Sequence, residues 1–315
     1  MTLEDLTINI VSQLFHITNP RISESLGFFV YDTLKILFLL VIMIAAVGTV
    51  RTYLPTYKIK KYLSGKKEGV GNFFASVFGA ITPFCSCSSI PIFYSMVDAG
   101  VPLGVTFSFL ITSPLVNEYV AVLMAATFGF KIMIYYVTSG ILIGIIGGLI
   151  LGRMRLENHL VKDILKGDKK SNEKDYKRFS ERLSFGVSEA KSVLKKTWIY
   201  AVIGVGLAAA VHGFVPDRFF TAAVNKGGFF AVPIAAIIGV PLYASCASII
   251  PIAAAFVSKG VPLGTALAFL MATAALSFPE AVMLRRAMKL KLIMIFFGIV
   301  AVSIIFIGYL FNWIV

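Results

Sequence analysis

The chain is poor in charge, in cysteine and in histidine, and each shortage excludes something. Only 14% of its 315 residues are charged and 58% are hydrophobic, whereas soluble domains carry about a quarter charged residues. A soluble chain of this length would make roughly two domains, and too little polar surface exists to cover them. Three cysteines are too few, and odd in number, for a disulfide framework. Cys85 and Cys87 stand two apart and are expected as free thiols. The three histidines, His16, His159 and His212, lie outside the apolar breaks described below, so no His–Cys zinc centre is expected. No GxxxxGK[ST] loop occurs, which argues against ATP as the direct energy source. HExxH and GxSxG are also missing. No metal, cofactor or enzymatic activity is expected.

What is present is a series of apolar runs of about twenty residues or more, the signature of membrane spans. They cover approximately 28–50, 70–98, 101–128, 131–151, 198–215, 229–258, 261–283 and 290–314. The net charge of +13 is concentrated in the connections between them. That is the pattern of loops retained on the cytoplasmic side, and it does not describe a nucleic-acid footprint. Residues 51–68, 153–196 and 285–291 are the basic connections. The longest holds 13 Lys/Arg against 7 Asp/Glu, and its end, ERLSFGVSEAKSVLKKTW, has helical apolar spacing suited to the membrane surface. Residues 1–20 carry Glu4 and Asp5 without a long apolar core, so an amphipathic surface helix is expected there, not a cleaved signal.

Two parts of the chain repeat. SIPIFYSMVDAGVPLGVTFSFL (89–110) overlies IIPIAAAFVSKGVPLGTALAFL (249–270) at an offset of 160 residues, with GVPLG identical in both. The expected organisation is an amphipathic segment over 1–27, a first membrane repeat over 28–152, a basic loop over 153–196 and a second membrane repeat over 197–315.

Several runs are interrupted. TPFCSCSSIPIF (82–93) breaks the second run and Thr112-Ser113-Pro114 the third. In the second repeat, breaks are expected near Pro241 and Pro251 and at Ser277-Phe278-Pro279. Three apolar runs separate each neighbouring pair of basic connections. If all three crossed, the connections would alternate sides. One run per repeat is therefore expected to enter and return as a hairpin, with eight full spans as the alternative. The arms 72–82 and 89–98 are about 15 Å of helix each, half the hydrocarbon core. Three crossings per repeat would invert the second relative to the first, a plan that recurs in secondary transporters. The fold class is thus an all-α polytopic membrane protein with two internal repeats, whose broken or re-entrant helices meet near the membrane midplane.

Non-helical backbone at membrane depth must be buried in protein or line a wet cavity. The first tip brings Cys85, Ser86, Cys87, Ser88 and Ser89 to such a place. The second brings Tyr243, Ser245, Cys246 and Ser248. Converging thiols suit a soft ligand such as trivalent arsenic or Cu(I). The alternative for Cys246 is a small buried apolar residue. Glu118, after Asn117, and Glu280 follow the two later breaks. Each is expected either to carry protons, because acids at membrane depth are costly, or to favour the N-terminal end of its helix. Asp32 and Lys35 are expected to pair or to reach the interface.

TPFCSCSSIPIF, AGVPLGVTFSFLITSPLVNE, GVPLYASCASIIPI and GVPLGTALAFL together resemble the ArsP-type permeases, over both repeats. The resemblance implies export of methylarsenite and related trivalent aromatic arsenicals, with the family's paired cysteines at Cys85 and Cys87. Members are usually drawn with eight transmembrane helices. Cys246 is added from the repeat, not from the resemblance. The partners expected are a trivalent arsenical and the lipid bilayer, with no nucleic acid, and a homo-oligomer is left open. Transport of arsenite or a sulfur compound is the alternative. A membrane thiol-redox protein is a third, although neither a Cys-x-x-Cys pair nor a cofactor motif supports it.

Overall fold

The computed structural model describes residues 20–52, 69–82, 86–98, 100–160, 178–214, 227–240, 246–285 and 288–314. Helix α1 spans Pro20–Arg51, α2 Val70–Ile81, α3 Ser86–Asp98, α4 Leu103–Leu115, α5 Glu118–Phe128 and α6 Phe130–Arg153. A 3₁₀ turn covers Leu156–His159. Helix α7 spans Phe179–Phe214, α8 Ala231–Gly239, α9 Cys246–Ser258, α10 Leu263–Ala275, α11 Phe278–Leu284 and α12 Leu290–Ile314. Among the described residues three stretches are long and apolar enough to cross a membrane: Phe130–Arg153, Leu290–Ile314 and, read through its break, Leu263–Leu284. The pair α4 and α5, bent by 42°, makes a fourth if counted as one span.

The GVPLG segments explain how the helices are joined. Gly100 and Gly260 have φ of 75° and 86°, which a side chain disfavours. Each closes the preceding helix with two bonds, Gly100 N–H to Val97 O at 2.9 Å and Val101 N–H to Met96 O at 3.0 Å, repeated as Gly260 to Val257 and Val261 to Phe256 at 3.0 Å each. This is the glycine-terminated C-cap. Pro102 and Pro262, with φ of −53° and −55°, then lead into α4 and α10.

Helix directions follow from the close contacts. A Cβ on Gly104, at the start of α4, would stand 2.8 Å from Gly148 O and 3.0 Å from Gly152 Cα, at the end of α6. Further along, Gly144 faces Thr112 and Gly140 faces Val116, so α4 and α6 are antiparallel. Asn72 donates to Ser108 Oγ at 2.9 Å, and Gly79 packs on Phe109 and Ser113, so α2 runs in the same direction as α4. Helix α3 returns the other way, with Ser89 beside Ser113 and Phe93 beside Phe107. Thus α2 and α3 form a hairpin, with Val70 and Asp98 toward the start of α4 and Ile81 and Ser86 toward its end.

The 3₁₀ turn after α6 joins the start of α12. Lys289 N–H donates to His159 O at 2.9 Å, Lys289 Nζ to Asn158 O at 3.1 Å, and Leu160 bridges Met288. The end of α6 and the beginning of α12 therefore share one end of the molecule, called the basic face below. Helix α10 starts at the opposite end, where Gly264 N–H donates to Asn312 Oδ1 at 2.7 Å near the end of α12. So α4 and α10 begin at opposite ends.

Helices α1 and α7 pack antiparallel along much of their length. Gly186 lies against Ala45 and Thr49, Gly206 faces Phe29, and Arg182 Nη1 donates to Thr52 O at 2.8 Å. The stretch 181–198 is not a separate surface helix, because α7 continues without interruption to Phe214. The expected boundary at 196/197 lies inside it, as the one at 27/28 lies inside α1. Pro251 also does not break the chain. It sits inside α9, only five residues after the helix begins, where its missing N–H costs a single intrahelical bond. Lys35 places its Nζ 5.2 Å from the Tyr31 ring centroid.

Candidate functional site

Both hairpin tips meet helix breaks. In the first half, α4 ends at Leu115 after Pro114, and Val116 and Asn117 are extended before α5. Ser89, fully buried on α3, lies 2.7 Å from the buried hydroxyl of Ser113 at this break. In the second half, α10 ends at Ala275 and α11 begins at Phe278. Phe278 N–H donates at 3.2 Å to Val240 O, at the end of α8. Each hairpin is thereby tied to the interrupted helix of its own half.

The halves also interlock. Helix α3 packs on α11, and α9 packs on α5. Tyr94 Oη, on α3, donates to Met283 O on α11 at 3.3 Å. A returning hairpin arm from each half therefore rests on the post-break helix of the other.

The sequence-derived residues distribute unevenly over this arrangement. Cys85 and Ser245 lie outside the described residues. Ser86, Cys87 and Ser88 occupy the first turn of α3, and Cys246 and Ser248 the first turn of α9, by their backbone. Their side chains lie outside the description. Cys87 and Cys246 thus stand, by their backbone, in the opening turns of the two helices. Asn117 is the N-cap of α5, its Oδ1 accepting from Val120 N–H at 2.8 Å. Ser277, the corresponding residue before α11, makes no cap bond. Its hydroxyl is 1% exposed and has no hydrogen-bond partner among the described residues.

The two acids do not occupy matching places. At the 160-residue offset Glu118 corresponds to Phe278, and Glu280 to Val120. Two residues along a helix are about 200° apart, so the acids point to opposite faces. Glu118 is exposed, and Glu280 is 1% exposed. Their shared position after a proline break concealed this two-residue shift.

Sequence reasoning also missed Ser113, Tyr94 and Ser277 as residues of this region. Ser113 and Ser277 were visible as parts of breaks. Tyr94 gives no local signal, since its partner lies 189 positions away.

Comparisons with known proteins agree with a membrane protein of this kind. The ArsP_1 family, described as "Predicted permease", matches residues 21–313. A Streptococcus mutans protein named "Putative two-component membrane permease complex subunit" is 26% identical over 82% of this chain and 85% of its own length. A UPF0718 protein of Methanocaldococcus jannaschii is 22% identical over 97% of this chain and 98% of its own. The UPF0718 protein YcgR of Bacillus subtilis is 23% identical over 76% and 81%. No solved structure matches the chain. With a family match running through nearly all of both halves, the chain belongs to the ArsP_1 family of predicted permeases, which makes it a transporter and not an enzyme.

Proposed function

We propose that this permease exports trivalent organoarsenicals such as methylarsenite, by secondary transport through a thiol site at the hairpin tips. The observation that supports the reading is that Cys87 stands in the first turn of α3, whose Ser89 meets Ser113 beside the break in α4; Cys85 is two residues earlier in the sequence. A monomethylated As(III) keeps two exchangeable positions, which two thiolates satisfy. Helix N-terminal amides, such as those at the start of α3, stabilise negative charge. Ser86, Ser88 and Ser89 supply polar contacts around the thiols. Cys246, with Ser245 and Ser248, is assigned to the same site from the second half of the chain.

The protein is organised as two inverted halves, each with a re-entrant hairpin. Three observations support this. Helices α3 and α9, α4 and α10, α5 and α11, and α6 and α12 begin 160 residues apart. Contacts repeat at the same offset, as Gly79 on Phe109 recurs in Gly239 on Phe269. And α4 and α10 start from opposite ends. The basic face is cytoplasmic, since it gathers the ends of the Lys/Arg-rich connections. Glu280 carries the coupling proton, because it is the buried acid of the pair. Asn117 and Glu118 shape the first break.

The test is arsenic content in cells lacking their own arsenic exporters, challenged with methylarsenite or arsenite. Wild type should lower methylarsenite-derived arsenic, and Cys85→Ser/Cys87→Ser should not, at equal membrane abundance. Equal arsenic in both, for both compounds, would refute the arsenical reading. Export that persists unchanged after the proton gradient is collapsed would refute the coupling.

A further inference from the structure

We propose that Phe93, Phe107 and Phe296 form the gate that separates the first hairpin tip from the basic face; the idea rests on the transport reading above. All three rings are fully buried. They form one continuous cluster, tilted by 44° with centroids 5.4 Å apart for Phe93–Phe107 and stacked at 5.6 Å for Phe107–Phe296. They come from three different elements. Phe93 is on the returning arm α3, Phe107 on α4, and Phe296 on α12 of the other half. The Phe107–Phe296 contact therefore crosses between the halves.

Their depth fixes what they close. Phe93 follows Ser89 by four residues and Phe107 precedes Ser113 by six, so the rings lie about 6–9 Å from the Ser89–Ser113 contact. Both displacements point toward the end where α3 finishes and α4 begins. Phe296 is six residues into α12, about 9 Å from its start at the basic face. The cluster thus fills the space between α3, α4 and α12, on the basic side of the motif.

The opposite side is built differently. At the 160-residue offset the three positions become Ala253, Leu267 and Tyr136. All are fully buried, but one ring replaces three. If the halves exchange conformations to expose the tip alternately, the two closures are unequal. The basic side has a seal of rigid rings, each with two side-chain torsions. Opening it requires α12 to move relative to α3 and α4, a relative motion of the two halves.

Cys87 and Cys246 begin α3 and α9 and Cys85 precedes Cys87 by two residues, so the native cysteines serve as reporters of access. Vesicles of both orientations would be treated with a membrane-impermeant maleimide, and the labelling rate of the native cysteines measured from each face. Phe107→Ala/Phe296→Ala should raise labelling from the basic face by about tenfold or more, as for a barrier lowered by one decade, and leave the opposite face unchanged. Leu267→Ala should do the reverse. Phe296→Leu, a milder change that retains an apolar side chain, should produce a smaller rise from the basic face alone. Equal increases from both faces, or none in monodisperse protein, would overturn the gate. Methylarsenite added before the maleimide separates the two ideas. Ring-dependent labelling that methylarsenite does not slow sinks the thiol site and keeps the gate. Protection without ring dependence does the opposite.

Discussion

The packing of α4 against α6 predicts a large difference between two chemically identical substitutions. Gly148 and Gly298 both lie inside long apolar helices. In either, alanine should gain about 1 kcal/mol of helix propensity. Around Gly298 a new Cβ meets nothing within 4 Å. On Gly148 it would overlap Ser108 Oγ and stand 2.6 Å from Gly104 O and 2.9 Å from Ser108 N. Backbone atoms at those distances must retreat by several tenths of an ångström, and overpacking of this kind costs about 1–3 kcal/mol. Ser108 must also turn away. It then loses the bond from Asn72 at 2.9 Å and its own to Gly104 O at 3.2 Å; interhelical hydrogen bonds in membranes contribute about 0.6 kcal/mol. The net expectation is a loss of about 1–3 kcal/mol for Gly148→Ala, and no loss for Gly298→Ala. Heating detergent-solubilised protein and following the monodisperse fraction by size exclusion gives the ranking. If Gly148→Ala melts with or above Gly298→Ala, the close approach of α4 and α6 is wrong, and with it the helix directions that place the first hairpin.

Three further outcomes follow from the breaks and turns. Asn117→Ala should destabilise by about 1 kcal/mol through loss of the cap on Val120 N–H, and Asn117→Asp should restore it; Ser277→Ala, which removes no cap bond, should change the melting temperature little. Glu280→Gln should flatten the pH dependence of methylarsenite export while Glu118→Gln preserves it, as read by transport into vesicles across a pH series; the reverse ranking would move the coupling site to the first half. Gly100→Ala and Gly260→Ala should each cost about 1–2 kcal/mol, since both glycines hold a left-handed conformation that side chains disfavour, whereas Ala substitution at neighbouring Val101 tests packing alone; equal thermal stability of Gly100→Ala and wild type would contradict the turn geometry.

The sequence carried the local features and not the angular ones. Prolines and glycines act on their own backbone, so the GVPLG turns and the breaks after Pro114 and before Pro279 could be read one segment at a time. The two arms of the first hairpin were legible for the same reason, because their lengths follow from where the breakers stand. The facing of a side chain needs the helix phase, and a shift of two residues inverts it. That is why Glu118 and Glu280 read as equivalent and are not. Continuity across a charged stretch was also hidden. Lys191 and Lys195 are exposed on α7, so they leave the helix intact while ending the apolar run that marked the expected span.

Under the two-fold organisation proposed above, positions 160 residues apart carry unlike side chains. Along α2, α4 and α6 the first half has a buried polar seam of Asn72, Ser76, Ser108 and Thr112 packed against Gly144 and Gly148. At the same positions the second half has Val232, Ala236, Ala268, Ala272, Ile304 and Gly308. Side-chain hydrogen bonds join the first hairpin to α4, through Asn72–Ser108 and Ser89–Ser113, whereas at the positions of that seam the second half carries apolar side chains and glycine. Acid placement runs the other way, with Glu280 buried where the first half has Val120. A transporter with identical halves would meet its cargo with the same groups in both orientations. Here the paired thiols and the hydroxyl-rich break belong to one half and the buried carboxylate to the other. The interlocking of α3 with α11 and of α9 with α5 brings those unlike parts together; under the transport proposed above, cargo binding at the first tip and protonation of Glu280 would act on the same interface.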